Sequence, residues 1–226
     1  MKKKLENWCQ VVKTVRVKIC GITNEKDLKA VIDAGADAIG FVIGVPSSSR
    51  NITVDKAERL FSKVPVFVET VAVTVPESLD WLLKLDRVLS PDVFQIHGEK
   101  IPLKEIRKKL MKPKLVKAVN AKNEKLSLDL NDIKTCDAIL LDSFSEGKYG
   151  GTGRAHNWEV SCKFKEKFHP KPLILAGGLT PENVAEAISI VKPYAVDVST
   201  GVEKSPGVKD PYKIFKFIKN VRDASL

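Results

Sequence analysis

Eight short apolar runs recur along this chain of 226 residues, and their number and spacing constrain the fold more than any single motif. The runs are rich in Val, Ile, Leu and Ala and lack strict polar alternation, which is typical of parallel strands covered on both faces. Segments with helical patterns lie between them. We therefore predict an α/β protein with a single (β/α)8 barrel, the TIM-barrel architecture, whose strands lie near residues 16–20, 38–44, 66–75, 93–97, 114–119, 138–142, 172–176 and 195–199.

The helix signals are clearest in the last quarter of the chain. Thr180 can cap free backbone N–H groups, Pro181 suits the first helical turn, and apolar residues then recur at helical spacing. Asp210 and Pro211 repeat this pattern before the last helix. We therefore expect these two helices to begin directly after Thr180 and Asp210.

Eight strand–helix cycles leave little room for a second domain, and no change in composition marks a linker. Residues 1–15 precede the first strand and are predicted to form a short N-terminal extension, which leaves residues 16–226 for the catalytic barrel. The longest polar loop with glycines covers residues 143–153. We expect this loop to act as a mobile lid over the site.

Composition argues against several classes of protein. The longest apolar stretches are far shorter than the ~18 residues needed to cross a bilayer, and the basic start at Met1 is not followed by the apolar core of a signal peptide. The four cysteines form no Cys-x-x-Cys pair and have no nearby histidine partners, which argues against a zinc site or a disulfide scaffold. We therefore expect a cytoplasmic protein that contacts no membrane.

The formal net charge of +10 could indicate a nucleic-acid-binding module. However, the lysines are interspersed with glutamates along the helical segments, and the sequence shows no stripe of basic and aromatic residues. A solvated surface explains this pattern better. The positive field would also attract a phosphorylated, carboxylated substrate, so we expect a small-molecule partner and no nucleic acid.

Glycine-rich turns follow the last three predicted strands. Glycine permits positive φ and lets bare N–H groups point towards a ligand, which is how loops and helix N-termini bind phosphate. In a barrel, the turns after successive strands share the carboxyl-terminal face. We therefore predict one phosphate pocket, built from Gly151, Gly153, Gly177, Gly178, Thr200 and Gly201.

Two polar side chains end predicted strands at the same face. Cys20 ends the first strand; a lone cysteine in an apolar strand is usually a small buried hydrophobe, but Gly21 marks a strand-to-helix turn here. Asp142 ends the sixth strand, where a carboxylate is costly unless it is paired, solvated or functional. A helix cap is the alternative for Asp142, yet the next helical pattern begins well downstream. We therefore favour function for both, with Asp142 as a usable general acid.

Four further polar residues lie at or beyond predicted strand ends. Arg50 is either a clamp for a substrate carboxylate, because guanidinium binds carboxylates at two points, or a solvated loop arginine. Asp197 either holds a substrate hydroxyl or amine or is a buried structural carboxylate. Gln95 and His97 share one side of the fourth strand by alternation, and His97 is either a ligand contact or a hydrogen-bonded structural residue.

Eight ordered motifs resemble the phosphoribosylanthranilate isomerase family of tryptophan biosynthesis. They are KICGIT (18–23), GADAIGF (35–41), SSR (48–50), QIHGE (95–99), LLDS (140–143), GGTG (150–153), LAGGL (175–179) and DVSTGVE (197–203). Each is weak alone, but together they cover nearly all of the chain after residue 15. The resemblance implies a (β/α)8 barrel that converts N-(5-phosphoribosyl)anthranilate to 1-(2-carboxyphenylamino)-1-deoxyribulose 5-phosphate, by an Amadori rearrangement that needs no metal or organic cofactor.

The resemblance also implies roles for individual residues. Asp142 would be the general acid that protonates the furanose ring oxygen and opens the ring to a Schiff base. Cys20 would be the general base that takes the C2′ proton as a thiolate, giving an enolamine that tautomerises to the ketone. Arg50 would hold the anthranilate carboxylate. The glycine turns with Thr200 would bind phosphate, and Gln95, His97 and Asp197 are predicted to contact substrate.

Two features depart from the family pattern. Residues 1–15 are not part of it, and the third strand ends Val73-Thr74-Val75 where the family often has an asparagine. The resemblance therefore implies no role for that asparagine in this chain, whereas the two catalytic residues match the family pattern.

Other phosphate-binding barrels are the nearest alternatives. An enzyme similar to ProFAR isomerase would use two aspartates at the ends of strands one and five, and one similar to indole-glycerol-phosphate synthase would use a lysine and glutamates. Cys20 with Asp142 fits neither. A non-catalytic sensor of phosphate ligands is a different class, and the intact Cys20 and Asp142 argue against it. The protein is expected to be a monomer or a homodimer.

Overall fold

The computed structural model of the chain describes residues 14–120, 130–142 and 158–225. In these ranges eight parallel strands succeed one another: β1 (Arg16–Cys20), β2 (Ala38–Ile43), β3 (Glu69–Thr74), β4 (Val93–Ile96), β5 (Lys114–Asn120), β6 (Ala138–Asp142), β7 (Leu173–Ala176) and β8 (Ala195–Val198). The first strand pairs with both β2 and β8, so the sheet closes on itself. The predicted (β/α)8 barrel is confirmed.

Eight helices alternate with the strands: α1 (Glu25–Asp33), α2 (Val54–Phe61), α3 (Leu79–Leu89), α4 (Leu103–Lys109), α5 (Leu130–Thr135), α6 (Trp158–Lys167), α7 (Val184–Val191) and α8 (Pro211–Ala224). A short strand, Asn51–Ile52, pairs in parallel with the end of β2. A small hairpin of Glu203–Ser205 with Val208–Lys209 follows β8. Within the described ranges, no helix is long and apolar enough to cross a membrane.

Both faces of the strands bury apolar side chains. Phe41 on β2 contacts Phe61 on α2, with ring centroids 4.7 Å apart, in the large apolar cluster between strands and helices. A second cluster fills the barrel interior with smaller side chains: Val116, Ala138, Leu140, Ile174, Ala176 and Ala195. This double burial explains why the strands lack polar alternation. Each fully buried aliphatic or aromatic side chain contributes about 1.5–3 kcal/mol to folding.

The third strand is shorter than predicted. It begins at Glu69 rather than at residue 66. Val66 and Phe67 are exposed, and Phe67 adopts a left-handed φ of 73° that is incompatible with a strand. The apolar character of these two residues therefore reflects a surface turn, which sequence periodicity did not separate from the strand.

The predicted starts of the last two helices have different outcomes. The start of α8 is confirmed, because Asp210 accepts hydrogen bonds from the backbone N–H groups of the first turn and Pro211 is its first residue. The predicted start of α7 is wrong by three residues, because residues 181–183 form a turn and the helix begins at Val184. Thr180 closes that turn instead, and its hydroxyl accepts from the Glu182 N–H at 3.2 Å.

The chain enters the barrel beside the end of α8. The Val15 N–H donates to Ser225 Oγ at 3.2 Å, and Arg222 donates to the Val15 carbonyl at 3.0 Å. Residues 1–13 lie outside the described ranges, so the division into an extension (1–15) and a barrel (16–226) stays a prediction.

Candidate functional site

The carboxyl ends of the strands bring most of the predicted site residues to one face of the barrel. Cys20 ends β1, Asp142 ends β6, Asp197 lies in β8, and Gln95 and His97 lie in and just after β4. All eight strands run in parallel, so these ends share one face even where the residues are far apart in sequence. Gly151, Gly153 and the predicted lid at residues 143–153 lie outside the described ranges.

A buried ion pair lies next to Cys20. Lys18 and Asp197 are register partners across the closure of β1 with β8, and Lys18 Nζ donates to Asp197 Oδ1 at 2.9 Å. Their side chains are 6% and 9% exposed. Lys18 was not among the predicted site residues, although a lysine two residues before Cys20 in an apolar strand points to the same side of the sheet as Cys20.

The space for the Cys20 thiol and the Lys18 ammonium group depends on a glycine in the neighbouring strand. Gly40 of β2 is the register partner of Cys20. A Cβ atom on Gly40 would lie 2.8 Å from Cys20 Sγ and 3.0 Å from Lys18 Nζ, which is too close for either. The absence of a side chain at Gly40 therefore lets the thiol and the ammonium group lie side by side inside the barrel.

Burial and charge act in opposite directions on the thiol. Burial raises the pKa of Cys20 above its ordinary value, Lys18 opposes this rise, Asp197 adds to it, and Lys209 lowers it. The balance keeps the pKa of Cys20 raised, so the thiol is favoured in the free protein. Burial lowers the pKa of Lys18, but Asp197 and Cys20 together outweigh burial and hold its pKa above the ordinary value.

Arg50 donates hydrogen bonds to both carboxylate oxygens of Glu203. Its Nε donates to Glu203 Oε1 at 2.7 Å and its Nη2 to Glu203 Oε2 at 2.6 Å, and Nη2 also lies 3.3 Å from Thr200 Oγ1. Lys209 Nζ donates to the same carboxylate at 2.9 Å. Burial raises the pKa of Glu203, but Arg50 and Lys209 outweigh burial and leave it lowered. Sequence analysis missed Glu203 and Lys209, because their contacts form only in the folded hairpin after β8.

Arg50 also packs against the end of β1. Gly21 has a left-handed φ of 80°, and a Cβ atom there would lie 2.5 Å from Arg50 Cδ. The strand-to-helix turn at Gly21 therefore makes room for the arginine stem, in keeping with the role of glycine at such positions. This packing brings the guanidinium to the same face as Cys20, rather than into solvent as a free loop charge.

Gln95 and His97 contact each other, as strand alternation predicts. Gln95 Nε2 lies 2.9 Å from His97 Nε2. Burial, and then Lys18, lower the pKa of His97 to about 4, so the ring is neutral at pH 7. A neutral ring of this kind can donate or accept a hydrogen bond without carrying charge.

The turns after β7 and β8 lie against each other. Gly177 and Gly178 have left-handed φ values of 86° and 66°. Gly201 lies in a short 3-10 turn, and a Cβ atom there would overlap the Leu179 carbonyl oxygen. Two of the three predicted glycine turns are therefore adjacent in space. The third turn, which contains Gly151 and Gly153, is outside the described ranges.

A cavity of about 480 Å³ opens at the opposite, amino-terminal end of the barrel. Its lining includes Arg16, Glu69 and Lys114 at strand starts, and of the predicted site residues in the described ranges only Gln95 reaches it. Active sites of (β/α)8 barrels lie at the carboxyl-terminal face, so volume alone does not mark the site here. The described ranges contain no group of three or more His, Cys, Asp or Glu residues that could hold a metal ion.

Comparisons with known proteins agree with the geometry. A protein-family model described as N-(5′-phosphoribosyl)anthranilate (PRA) isomerase matches residues 17–220. N-(5′-phosphoribosyl)anthranilate isomerase of Methanothrix thermoacetophila is 42% identical over 209 residues, which cover 92% of this chain and 98% of that protein.

Solved structures give the same result. The crystal structure of phosphoribosyl anthranilate isomerase from Thermotoga maritima is 40% identical with a TM-score of 0.78, over 92% of this chain and 99% of that one. A structure of such an isomerase in complex with reduced 1-(o-carboxyphenylamino)-1-deoxyribulose 5-phosphate is 38% identical, with a TM-score of 0.76 and the same coverage.

Proposed function

Because the chain belongs to the N-(5′-phosphoribosyl)anthranilate isomerase family, and is thus an isomerase of tryptophan biosynthesis, we propose that Cys20 and Asp142 carry out its acid–base chemistry. The observation that carries this proposal is their position: both end strands of one closed barrel, at the face where Arg50 also lies. The reaction converts N-(5-phosphoribosyl)anthranilate to 1-(2-carboxyphenylamino)-1-deoxyribulose 5-phosphate.

The first step opens the sugar ring. Asp142 donates a proton to the furanose ring oxygen, and the bond from C1′ to that oxygen breaks with its electron pair going to the oxygen. The lone pair of the anthranilate nitrogen forms the C1′=N bond of a protonated Schiff base. Asp142 ends β6 and is partly exposed, which suits a group that must reach a bound substrate.

The second step moves a proton from carbon. Cys20 as thiolate takes the C2′ proton, the electrons of the C2′–H bond form the C1′=C2′ bond, and the positive nitrogen is neutralised. The resulting enolamine tautomerises to the ketone product. The thiolate is the less favoured form in the free protein, because burial raises the pKa of Cys20.

The substrate carries two anionic groups, and the barrel face offers partners for both. Arg50 would hold the anthranilate carboxylate, because the guanidinium is fixed by Glu203 and keeps further N–H donors for a second anion. The phosphate would be bound by N–H groups of the turns with Gly177, Gly178, Thr200 and Gly201, together with Gly151 and Gly153 of the loop after β6.

Gln95, His97 and Asp197 are proposed to contact the ribulose or amine part of the substrate. The neutral His97 ring can serve as a hydrogen-bond partner for a sugar hydroxyl. Asp197 would do so with the carboxylate oxygen that does not accept from Lys18. The net charge of +10 would help attract this substrate, which carries both a phosphate and a carboxylate.

The protein is also proposed to act in the cytoplasm, on a small molecule and without nucleic acid, as a monomer or homodimer. One Thermotoga maritima relative is described as dimeric. Light scattering coupled to size-exclusion chromatography distinguishes the two states for this chain.

A fluorescence assay that follows loss of phosphoribosylanthranilate tests the proposed roles. Cys20→Ala and Asp142→Asn should each lower kcat at least ~10²-fold, the scale of general acid–base catalysis, while circular dichroism stays unchanged. Cys162→Ala is the matched control, because Cys162 lies on α6 and should leave turnover unchanged. Turnover near that of the unmodified protein in either test variant removes that residue from the mechanism.

A further inference from the structure

Lys18 is a buried charge to which the mechanism above gives no role. Lys18 is 5% exposed and lies in the middle of β1, where its neighbours along the strand are Val17 and Ile19. Burying an ammonium group is costly even when it is paired, and replacing such a pair by apolar residues often stabilises a protein. Stability alone therefore gives little reason for a lysine here.

The contacts of Lys18 connect it to the reacting thiol. Its Nζ donates to Asp197 Oδ1 at 2.9 Å, and Lys18 and Cys20 each shift the pKa of the other. Nζ and Sγ lie 3.0 and 2.8 Å from the position that a Cβ atom on Gly40 would occupy, so the two groups share one small space beside that glycine. An ammonium group has three N–H donors and no acceptor, so it favours the anionic form of the groups next to it.

The other charges near the thiol are engaged elsewhere. Lys209 also lowers the pKa of Cys20, but its ammonium donates to Glu203 and to the Ser199 carbonyl. Arg50 is held by both oxygens of Glu203. His97 is neutral at pH 7, with a pKa of about 4. Among the cations of the described residues that act on Cys20, Lys18 is therefore the one that shares the space beside Gly40 with the sulfur.

We propose that Lys18 is a positioning residue that stabilises the thiolate of Cys20, and that the carboxylate of Asp197, which shares the Lys18 ammonium group, partly offsets this stabilisation. This rests on the proposed role of Cys20 as base. The thiol releases its proton to solvent before the chemical step, and Lys18 balances the charge of the thiolate. The thiolate then takes the C2′ proton and becomes a thiol again, while the C2′–H electron pair forms the C1′=C2′ bond.

Alkylation measures the thiolate directly and does not depend on turnover. Cys20 in the full-length protein is treated with iodoacetamide between pH 6 and 10, and its modification is followed by mass spectrometry. Lys18→Met should slow alkylation of Cys20 at pH 8 at least ~10-fold and move the profile to higher pH, because an opposite charge at this distance shifts a pKa by about 1–3 units. Lys18→Arg keeps the charge and should restore most of the rate.

Removing the partner carboxylate should have the opposite effect. Asp197 raises the pKa of Cys20, so Asp197→Asn should speed alkylation. If Lys18 and Asp197 only stabilised the fold, Lys18→Met and Asp197→Asn would both slow alkylation or would both leave it unchanged. If Lys18→Met does not fold, the double variant Lys18→Met/Asp197→Asn removes both charges and leaves neither unpaired. Its alkylation rate should fall between those of Lys18→Met and the unmodified protein.

A second buried lysine provides the matched control. Lys117 lies 3.4 Å from Asp132, with side chains 4% and 7% exposed, and contacts the Gly98 carbonyl instead of Cys20. Lys117→Met should destabilise the barrel but leave alkylation of Cys20 unchanged. The proposal is overturned if folded Lys18→Met alkylates like the unmodified protein, or if Lys117→Met slows Cys20 equally. Full turnover by Cys20→Ala would instead refute the role of the base and leave the alkylation result standing.

Discussion

At the scale of single residues, two ion pairs organise the carboxyl-terminal face. Lys18 and Asp197 lie beside Cys20 in the barrel interior, while Glu203 holds Arg50 above the end of β1. A guanidinium that is fixed before the substrate arrives loses little conformational entropy on binding a second carboxylate. The glutamate therefore prepares Arg50 for its proposed task.

Arg50 gives the first test at this scale. Arg50→Ala should raise KM by the equivalent of about 1.5–3 kcal/mol, the contribution of a charge-assisted hydrogen bond, with a smaller change in kcat. Arg50→Lys should recover only part of the loss, since ammonium cannot make the planar two-point contact. Arg59→Ala, at an exposed position on α2, is the control. Full recovery by lysine, or no effect of alanine, would contradict the role of Arg50.

At the scale of elements, the turns after β7 and β8 form the proposed anion site. Gly177 and Gly178 use left-handed backbone, and Gly201 lies so close to the preceding turn that no side chain fits. Each turn leads into a helical segment, and the N–H groups at such starts carry partial positive charge. The two turns therefore lie against each other, although they are separated in sequence by a full helix.

Gly178→Val tests whether this surface binds phosphate. The branched side chain should raise KM about 10-fold or more, because it occupies the space that the anion needs. Gly35→Val is the matched control: Gly35 also has a left-handed φ of 84°, but a Cβ atom there meets nothing within 4 Å. Both variants should lose about 1–3 kcal/mol of unfolding free energy from backbone strain. An equal rise of KM in both would show that strain, not the anion site, controls binding.

At the scale of the whole molecule, closure of the barrel determines which groups are buried together. Lys18 and Asp197 are 179 residues apart in sequence, yet they become register partners when β8 closes on β1. The same closure buries His97 near Lys18 and lowers the pKa of the ring to about 4 from an ordinary value of 6.5. Global stability is thereby linked to the protonation of a residue in the site.

The stability of the barrel should consequently depend on pH through His97. The unfolded chain binds a proton at His97 below pH 6.5, whereas the folded chain binds it only near pH 4, so stability present above pH 6.5 is lost as the pH falls. The loss between pH 7 and 4 is about 3 kcal/mol at most. The unfolding free energy, measured with urea at each pH in this range, should depend less steeply on pH in His97→Gln than in the unmodified protein. His169→Gln, at an exposed position, should keep the slope, and equal slopes in all three proteins would exclude His97 as the cause.

The sequence by itself determined the barrel and its strand ends. Parallel strands buried on both faces require apolar runs, so eight runs with helical segments between them were sufficient for the architecture, and the family motifs supplied the activity. Cys20 stood out because it ended such a run. Two local predictions were wrong: the third strand was predicted to include Phe67, which is exposed, and α7 was predicted to begin at the turn after Thr180. Both follow from reading apolar character or capping residues without knowing which backbone positions are buried.

Only the tertiary structure decided the partners of the charged residues. Nothing in the sequence links Arg50 to Glu203, 153 residues further on, or pairs Lys18 with Asp197 beside Cys20. These contacts depend on strand register, on barrel closure and on the space left by Gly40 and Gly21. Sequence patterns report how each side chain interacts with its own strand or helix, whereas long-range ion pairs exist only after the strands have closed and water has been excluded between them.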